Sequence, residues 1–154
     1  MDHIDKTILR LLQEDSKISA KEISKETGSP INTIYSRIKK LEDSGIIKGY
    51  KAILDDTKMG FSTTAFILAN ADLSQVDLEK YPDYSISAEI HKFPQVQEVF
   101  VVSGSWDYLI KVKGSTPTSL GEFVLKTLGM VKGLSATMTM VVFRKEKETL
   151  DLPI

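Results

Sequence analysis

The sequence predicts an α+β protein in two parts, a small three-helix unit followed by a strand, helix, strand, strand, helix, strand unit. Three observations predict it. Apolar residues recur at helical spacing through residues 3–43 and give way to strand-like runs beyond residue 62. Capping signatures with Gly and Pro punctuation divide the first third into short helices. At 154 residues and 42% hydrophobic, the chain is long enough for two small cores.

In the first third, Ile4, Ile8, Leu11 and Leu12 share one helical face, and Asp2 is an N-cap, which predicts a helix over 3–14. Ser19-Ala-Lys-Glu22 is a capping box, and Ile18 and Ile23 stand at the positions of a hydrophobic staple, so a second helix starts there and ends at Gly28. A third follows, with Ser29 as the expected cap and Pro30 at the first helical position. Its Ile31, Ile34, Ile38 and Leu41 form one stripe, leaving Asn32, Thr33, Tyr35, Ser36, Arg37, Lys39 and Lys40 on the rest of the surface.

Two helices joined by a tight Gly-containing turn, the second polar and basic outside, describe a helix-turn-helix. The same spacing also occurs in small bundles that bind nothing. The segment after Gly45 favours the first reading: Ile46-Ile-Lys-Gly-Tyr-Lys-Ala-Ile-Leu54 is apolar and β-branched, as expected of a β wing carrying Lys48 and Lys51. Residues 37–51 hold five basic and two acidic side chains, a local excess of three positive charges in a chain of net charge -1. One such patch binds phosphates weakly, which implies two of them linked on one duplex, hence a dimer, and affinity that falls with salt. Asn32, Thr33, Tyr35, Ser36, Arg37, Lys39, Lys40 and Lys48 are the expected contacts to double-stranded DNA, Asn32 and Thr33 nearest the base edges. Arg37 has a second possible role, an ion pair within its own unit.

Residues 1–54 thus form the expected winged helix-turn-helix, residues 55–61 a polar linker, and residues 62–154 the second unit. That unit opens with a buried strand over 62–71 and a polar segment over 73–84. A helix is expected over 83–93 on Ile86, Ile90 and Phe93, stopped by Pro94. Strands over 96–102 and 108–112 form a hairpin around Ser103-Gly-Ser-Trp-Asp107. Ser119-Leu-Gly-Glu122 is a second expected capping box, its helix striped by Leu120, Phe123, Val124, Leu128 and Val131 and closed by Gly133, with a last strand over 134–144. This order is the ferredoxin-like βαββαβ arrangement, whose helices cover one sheet face only. The other face, being apolar, implies a second subunit.

Composition excludes several chemistries. The chain has no cysteine, so disulfides, thiolate nucleophiles and sulfur metal sites are excluded together and an intracellular, cytoplasmic protein is expected. No run approaches the roughly 20 apolar residues of a membrane span, and the acidic start is unlike a signal peptide. His3 and His91 have no ligand spacing around them, no Ser-His-Asp pairing suggests itself, and no cofactor is expected.

Beyond these readings the residues carry a resemblance. Ile4-Asp-Lys-Thr-Ile-Leu-Arg-Leu-Leu-Gln-Glu-Asp15 and Arg37-Ile-Lys-Lys-Leu-Glu-Asp-Ser-Gly-Ile-Ile-Lys-Gly-Tyr50 resemble the Lrp/AsnC feast/famine regulators. So do Phe93-Pro-Gln-Val96, Val101-Val-Ser-Gly-Ser-Trp-Asp-Tyr-Leu-Ile110 and Thr137-Met-Thr-Met-Val-Val142, which resemble the family's RAM domain. The likeness spans nearly the whole chain. It departs at Gly28-Ser29-Pro30, where the family has Gly-Leu-Ser, at Trp106, and in a longer segment over 72–84.

The resemblance implies a transcriptional regulator that assembles as a dimer or up to an octamer and binds a small effector, an amino acid, at interfaces of the RAM domain. By matching position it places that effector at Ser103, Gly104, Ser105 and Asp107 on the turn and at Thr137 and Thr139 on the last strand. A turn of small residues presents N–H groups to a carboxylate, and an aspartate takes an ammonium. Against this, Asp107 reads equally as a turn residue and the threonines as ordinary strand formers. Two other functions stay open. Related folds occur in proteins resembling siroheme decarboxylases, but that chemistry favours pocket histidines and arginines, and Arg144 is the only arginine beyond Gly60. A partner regulator that does not bind DNA is disfavoured by the basic cluster.

Overall fold

The computed structural model describes residues 1–77, 79–80 and 85–154. The chain divides into two compact units, Met1–Ile53 together with Lys147–Ile154, and Leu54–Glu146. The last eight residues, assigned by sequence to the second unit, are grouped with the first. There the Gln13 carboxamide brackets Leu152, Nε2 donating to its carbonyl (3.2 Å) and Oε1 accepting from its N–H (2.7 Å).

In the first unit α1 (His3–Glu14), α2 (Ala20–Thr27) and α3 (Ile31–Asp43) close around Ile8, Ala20, Ile23, Ile34 and Leu41, all buried. The expected caps form. Asp2 and Asp5 exchange capping bonds at the start of α1, Ser19 and Glu22 do so at α2, and Gly28 ends α2 at φ 68, a left-handed conformation that glycine adopts without a Cβ penalty.

Two expectations fail here. Pro30, not Ser29, is the N-cap of α3; its ψ of 143 is extended and no side chain caps the helix. A residue before proline is steered away from helical backbone, so Ser29 stays outside, its carbonyl accepting from Ser24 Oγ at 2.6 Å. The β wing is also not formed as strands among the described residues. Ile47 packs on the core, but Ile53 is 96% exposed and residues 46–54 are irregular. An isolated two-stranded hairpin is marginal, and no neighbouring strand completes this one. Ile31, expected on the packed stripe, is 40% exposed.

In the second unit β1 (Thr63–Ala71), α4 (Ile86–Ile90), β2 (Val96–Val101), β3 (Tyr108–Gly114), α5 (Pro117–Lys126) and β4 (Leu134–Val141) build an antiparallel sheet in the order β2-β3-β1-β4. This is the predicted ferredoxin-like topology. Ala65, Ile67 and Ala69 of β1 and Ile110 and Val112 of β3 meet Ile86, Ile90, Leu120, Phe123 and Leu128 from the helical side. Phe93 and Phe123 cross edge to face, centroids 5.6 Å apart. The register puts Phe66, Leu68, Leu109, Phe100, Met138 and Met140 on the opposite face.

Several boundaries move, β3 running on to Gly114 among them. α4 is five residues long because Ser85 caps it and Lys92 and Phe93 close tight turns onto Glu89 and Ile90; positions 83 and 84, where it was expected to begin, lie outside the described residues. α5 is opened by Thr116 with Ser119 as the reciprocal partner, one turn earlier than the Ser119–Glu122 box, since Pro117 takes the first helical position. It ends at Lys126, and Gly133 instead turns the chain into β4, which stops at Val141 rather than residue 144. Residues 55–61 form turns, with Phe61 N–H donating to the Asp56 carbonyl at 2.8 Å.

Candidate DNA and effector sites

The outer face of α3 is set by what its inner face buries. Ile34 and Leu41 are sealed in the core, so Asn32, Tyr35, Ser36, Lys39 and Lys40 are exposed and Thr33 is half-buried. Tyr35 is 62% exposed, and Lys48 stands free of the core just beyond the helix. Tyr35 and Lys39 also border an open cleft of about 550 Å³ floored by Leu12, Ile18 and Ile38. Its far rim holds Tyr50, whose hydroxyl donates to Glu42 Oε1 at 2.9 Å. Burial first, and then this carboxylate, raise the Tyr50 pKa to about 12.

Arg37 is placed differently from its neighbours. Its Nη1 lies 2.7 Å from Asp2 Oδ2 and 2.7 Å from Asp5 Oδ1, and the side chain is 28% exposed. Each aspartate gives one oxygen to the capping box and the other to this nitrogen. Both carboxyls are held below their ordinary pKa, by the neighbouring backbone N–H foremost and then by Arg37. The guanidinium is held above its ordinary value, first by Asp5 and then by Asp2. Of the two roles open to Arg37, this is the intradomain one. Its partners are 35 and 32 residues away, so only a contact prediction could have found them.

In the second unit the turn residues Ser103, Gly104, Ser105 and Asp107 are exposed at the end of the β2–β3 hairpin. Asp107 is bonded three ways. Its N–H donates to the Ala69 carbonyl (3.1 Å), its carbonyl accepts from Val102 (2.9 Å), and its Oδ2 accepts from Ala71 N–H (2.8 Å). One carboxylate oxygen thereby prolongs the β1–β3 ladder past its last backbone pair. On the other side of β1, Thr137 is paired with Ala69 and Thr139 with Ile67, both exposed on the outermost strand. The structure therefore brings Asp107 and Thr137 to opposite flanks of Ala69. Tyr108, paired with Ala69 and half-buried against the core, stands in the same row across the sheet and was missed by sequence. A hydroxyl-bearing residue directly after the turn aspartate was the signal for it.

Among the described residues, no helix is long and apolar enough to cross a membrane. Residues 1–48 match the family model described as winged helix-turn-helix DNA-binding, and residues 72–152 match that of the Lrp/AsnC ligand binding domain. The chain is 38% identical over 154 residues to the HTH-type transcriptional regulator FL11 of Pyrococcus horikoshii, covering 100% of this chain and 97% of that one. It is also 38% identical to the transcriptional regulator AzlB of Bacillus subtilis, covering 100% and 96%. Among solved structures, the transcriptional regulator NMB0573 of Neisseria meningitidis in complex with L-Met superposes with a TM-score of 0.89 at 28% identity, covering 99% of this chain and 96% of that one. Sequence, fold and relatives agree, and the chain belongs to the Lrp/AsnC family of DNA-binding transcriptional regulators.

Proposed function

We propose that this regulator reads duplex DNA with the outer face of α3 and responds to an amino acid held beside the β2–β3 turn. The observation that carries the first half is the separation of faces on α3: Ile34 and Leu41 are buried while Asn32, Tyr35, Ser36, Lys39 and Lys40 remain exposed. Asn32 and Thr33, at the helix start, read base edges; Tyr35, Ser36, Lys39, Lys40 and, past the helix, Lys48 hold phosphates.

The second half is supported by the L-Met complex of the Neisseria relative and by the chemistry of the turn. Ser103, Gly104 and Ser105 supply N–H and hydroxyl groups for a carboxylate. Asp107 commits Oδ2 to Ala71 and keeps Oδ1 for an ammonium. Thr137 and Thr139 add hydroxyls from β4. The apolar sheet face of Phe66, Leu68, Phe100 and Met138 pairs with a second copy, giving a dimer that higher assembly can raise to an octamer. Two linked α3 helices then grip one duplex, and the effector acts by favouring one assembly, a coupling worth about 1–3 kcal/mol. The protein works in the cytoplasm, as a regulator rather than a catalyst.

The test is binding to a fluorescent duplex from the protein's own upstream region against a scrambled duplex, across salt concentrations, with and without L-methionine and pooled amino acids. Replacing Lys39 and Lys40 together by alanine should weaken both complexes and lower the salt slope by about 2 per subunit. An unchanged slope would remove α3 from the interface. An Asp107→Ala chain that keeps its response to amino acids would remove the turn from the effector site.

A further inference from the structure

We propose that Arg37 is a positioning residue which, with Asp2 and Asp5, sets the angle at which α3 meets DNA, and that it is not a phosphate ligand. The inference rests on the reading of α3 as the DNA-facing helix. Three observations carry it. Arg37 lies between the buried anchors Ile34 and Leu41 at spacings of three and four, on the side of α3 that faces its own unit. Its guanidinium is tied at 2.7 Å to each of two carboxylates fixed in turn by the backbone of α1's first turn. And Pro30, the N-cap of α3, offers no side-chain hydrogen bond, so the first turn, where Asn32 and Thr33 stand, lacks the side-chain anchor that opens α1 and α2.

The arrangement also uses charge economically. Two aspartates three residues apart would repel each other at the start of α1; one nitrogen of Arg37 answers both, at a helix end that favours negative charge. Apolar packing through Ile34 and Leu41 is non-directional, and a directional ion pair narrows the rotation of α3 about its axis that this packing tolerates. A rotation misaims base contacts while leaving the phosphate-binding lysines on the same broad face. The expected signature is lost discrimination with an unchanged count of phosphate contacts.

The alternative, a phosphate-ligating Arg37, predicts effects of opposite sign, so three variants of the full chain decide it: Arg37→Gln, the pair Asp2→Asn with Asp5→Asn, and all three together. Binding of each to the native and scrambled duplexes is titrated with salt, and thermal unfolding is followed without DNA. Arg37→Gln and the Asn pair should each reduce the ratio of native to scrambled affinity by about fivefold or more, with the salt slope unchanged to within about half a unit. A slope that falls by about 1 in Arg37→Gln would overturn the proposal, as would tighter binding of both duplexes by the Asn pair, the result of freeing an arginine for phosphate. If Arg37→Gln does not fold, Asp5→Asn alone carries the same contrast. If the wild type fails to discriminate, the DNA reading of α3 fails and unfolding decides the brace: equal loss of midpoint in all three variants supports one shared interaction, and additive losses overturn it.

Discussion

The Tyr50 hydroxyl donates a 2.9 Å hydrogen bond to Glu42 Oε1, tying the irregular segment after α3 back to the last turn of that helix. Desolvation first, and the carboxylate next, favour the neutral phenol and raise its pKa from 10.0 to about 12. A folded pKa above the unfolded one means stability that is complete below pH 10.0 and is lost as pH rises through about 12. In a spectrophotometric titration, Tyr50 should ionise late, near pH 12, and Tyr50→Phe should remove that step. Because Tyr50 is 47% exposed, the variant should cost at most about 1 kcal/mol at neutral pH.

The start of α1 responds to the opposite end of the pH scale. Asp2 and Asp5 have folded pKa values below their ordinary ones, so their contribution is present above an unfolded pKa of about 3.9 and is lost as pH falls through the folded values. Melting temperature measured between neutral pH and pH ~2 should therefore fall below pH ~4. The acid limb should be shallower in the chain carrying Asn at both positions. An identical limb in that chain would mean that these carboxyls are not the groups that titrate.

Gly114 ends β3 under the first turn of α5. A Cβ built there would lie 2.6 Å from Leu120 Cδ2 and 2.8 Å from its Cγ, and Leu120 is 1% exposed within the core. Gly114→Ala should destabilise the chain by about 1–3 kcal/mol through overpacking, read as a lower denaturation midpoint at unchanged slope. Gly121→Ala, whose added Cβ meets nothing within 4 Å, is the control and should be neutral or slightly stabilising.

Contacts between near neighbours in the chain were legible in the sequence, and distant ones were not. The Ser19–Glu22 box, the Asp2 cap and Gly28 were legible because each is a contact within a few residues, decided by backbone groups that every helix end leaves open. Competition between adjacent signals produced the errors. Pro30 fits either side of a helix boundary, and Thr116 and Ser119 both begin a capping pattern, with Pro117 deciding between them. The winged helix-turn-helix reading stands, but the strands expected over 46–54 do not form, because β-branched composition marks residues able to extend while a strand also needs a partner. In the candidate sites, exposure on α3 followed from periodicity. The ion pairs of Arg37 and the bond from Ala71 to Asp107 did not, since each joins residues more than 30 positions apart and no local rule reaches that far.

β4 carries the composition Leu-Ser-Ala-Thr-Met-Thr-Met-Val and closes the sheet beside β1 with no charged side chain along its length. An uncharged strand whose outer N–H and C=O groups face solvent is a template on which another chain can lay down an intermolecular ladder. Recovery on refolding should therefore fall as protein concentration rises, and a single lysine in place of Thr139 should suppress that loss. On the proposed effector site, the strand that offers hydroxyls to a ligand is thus also an edge open to misassembly, and a ligand held along it would act as a guard as well as a signal.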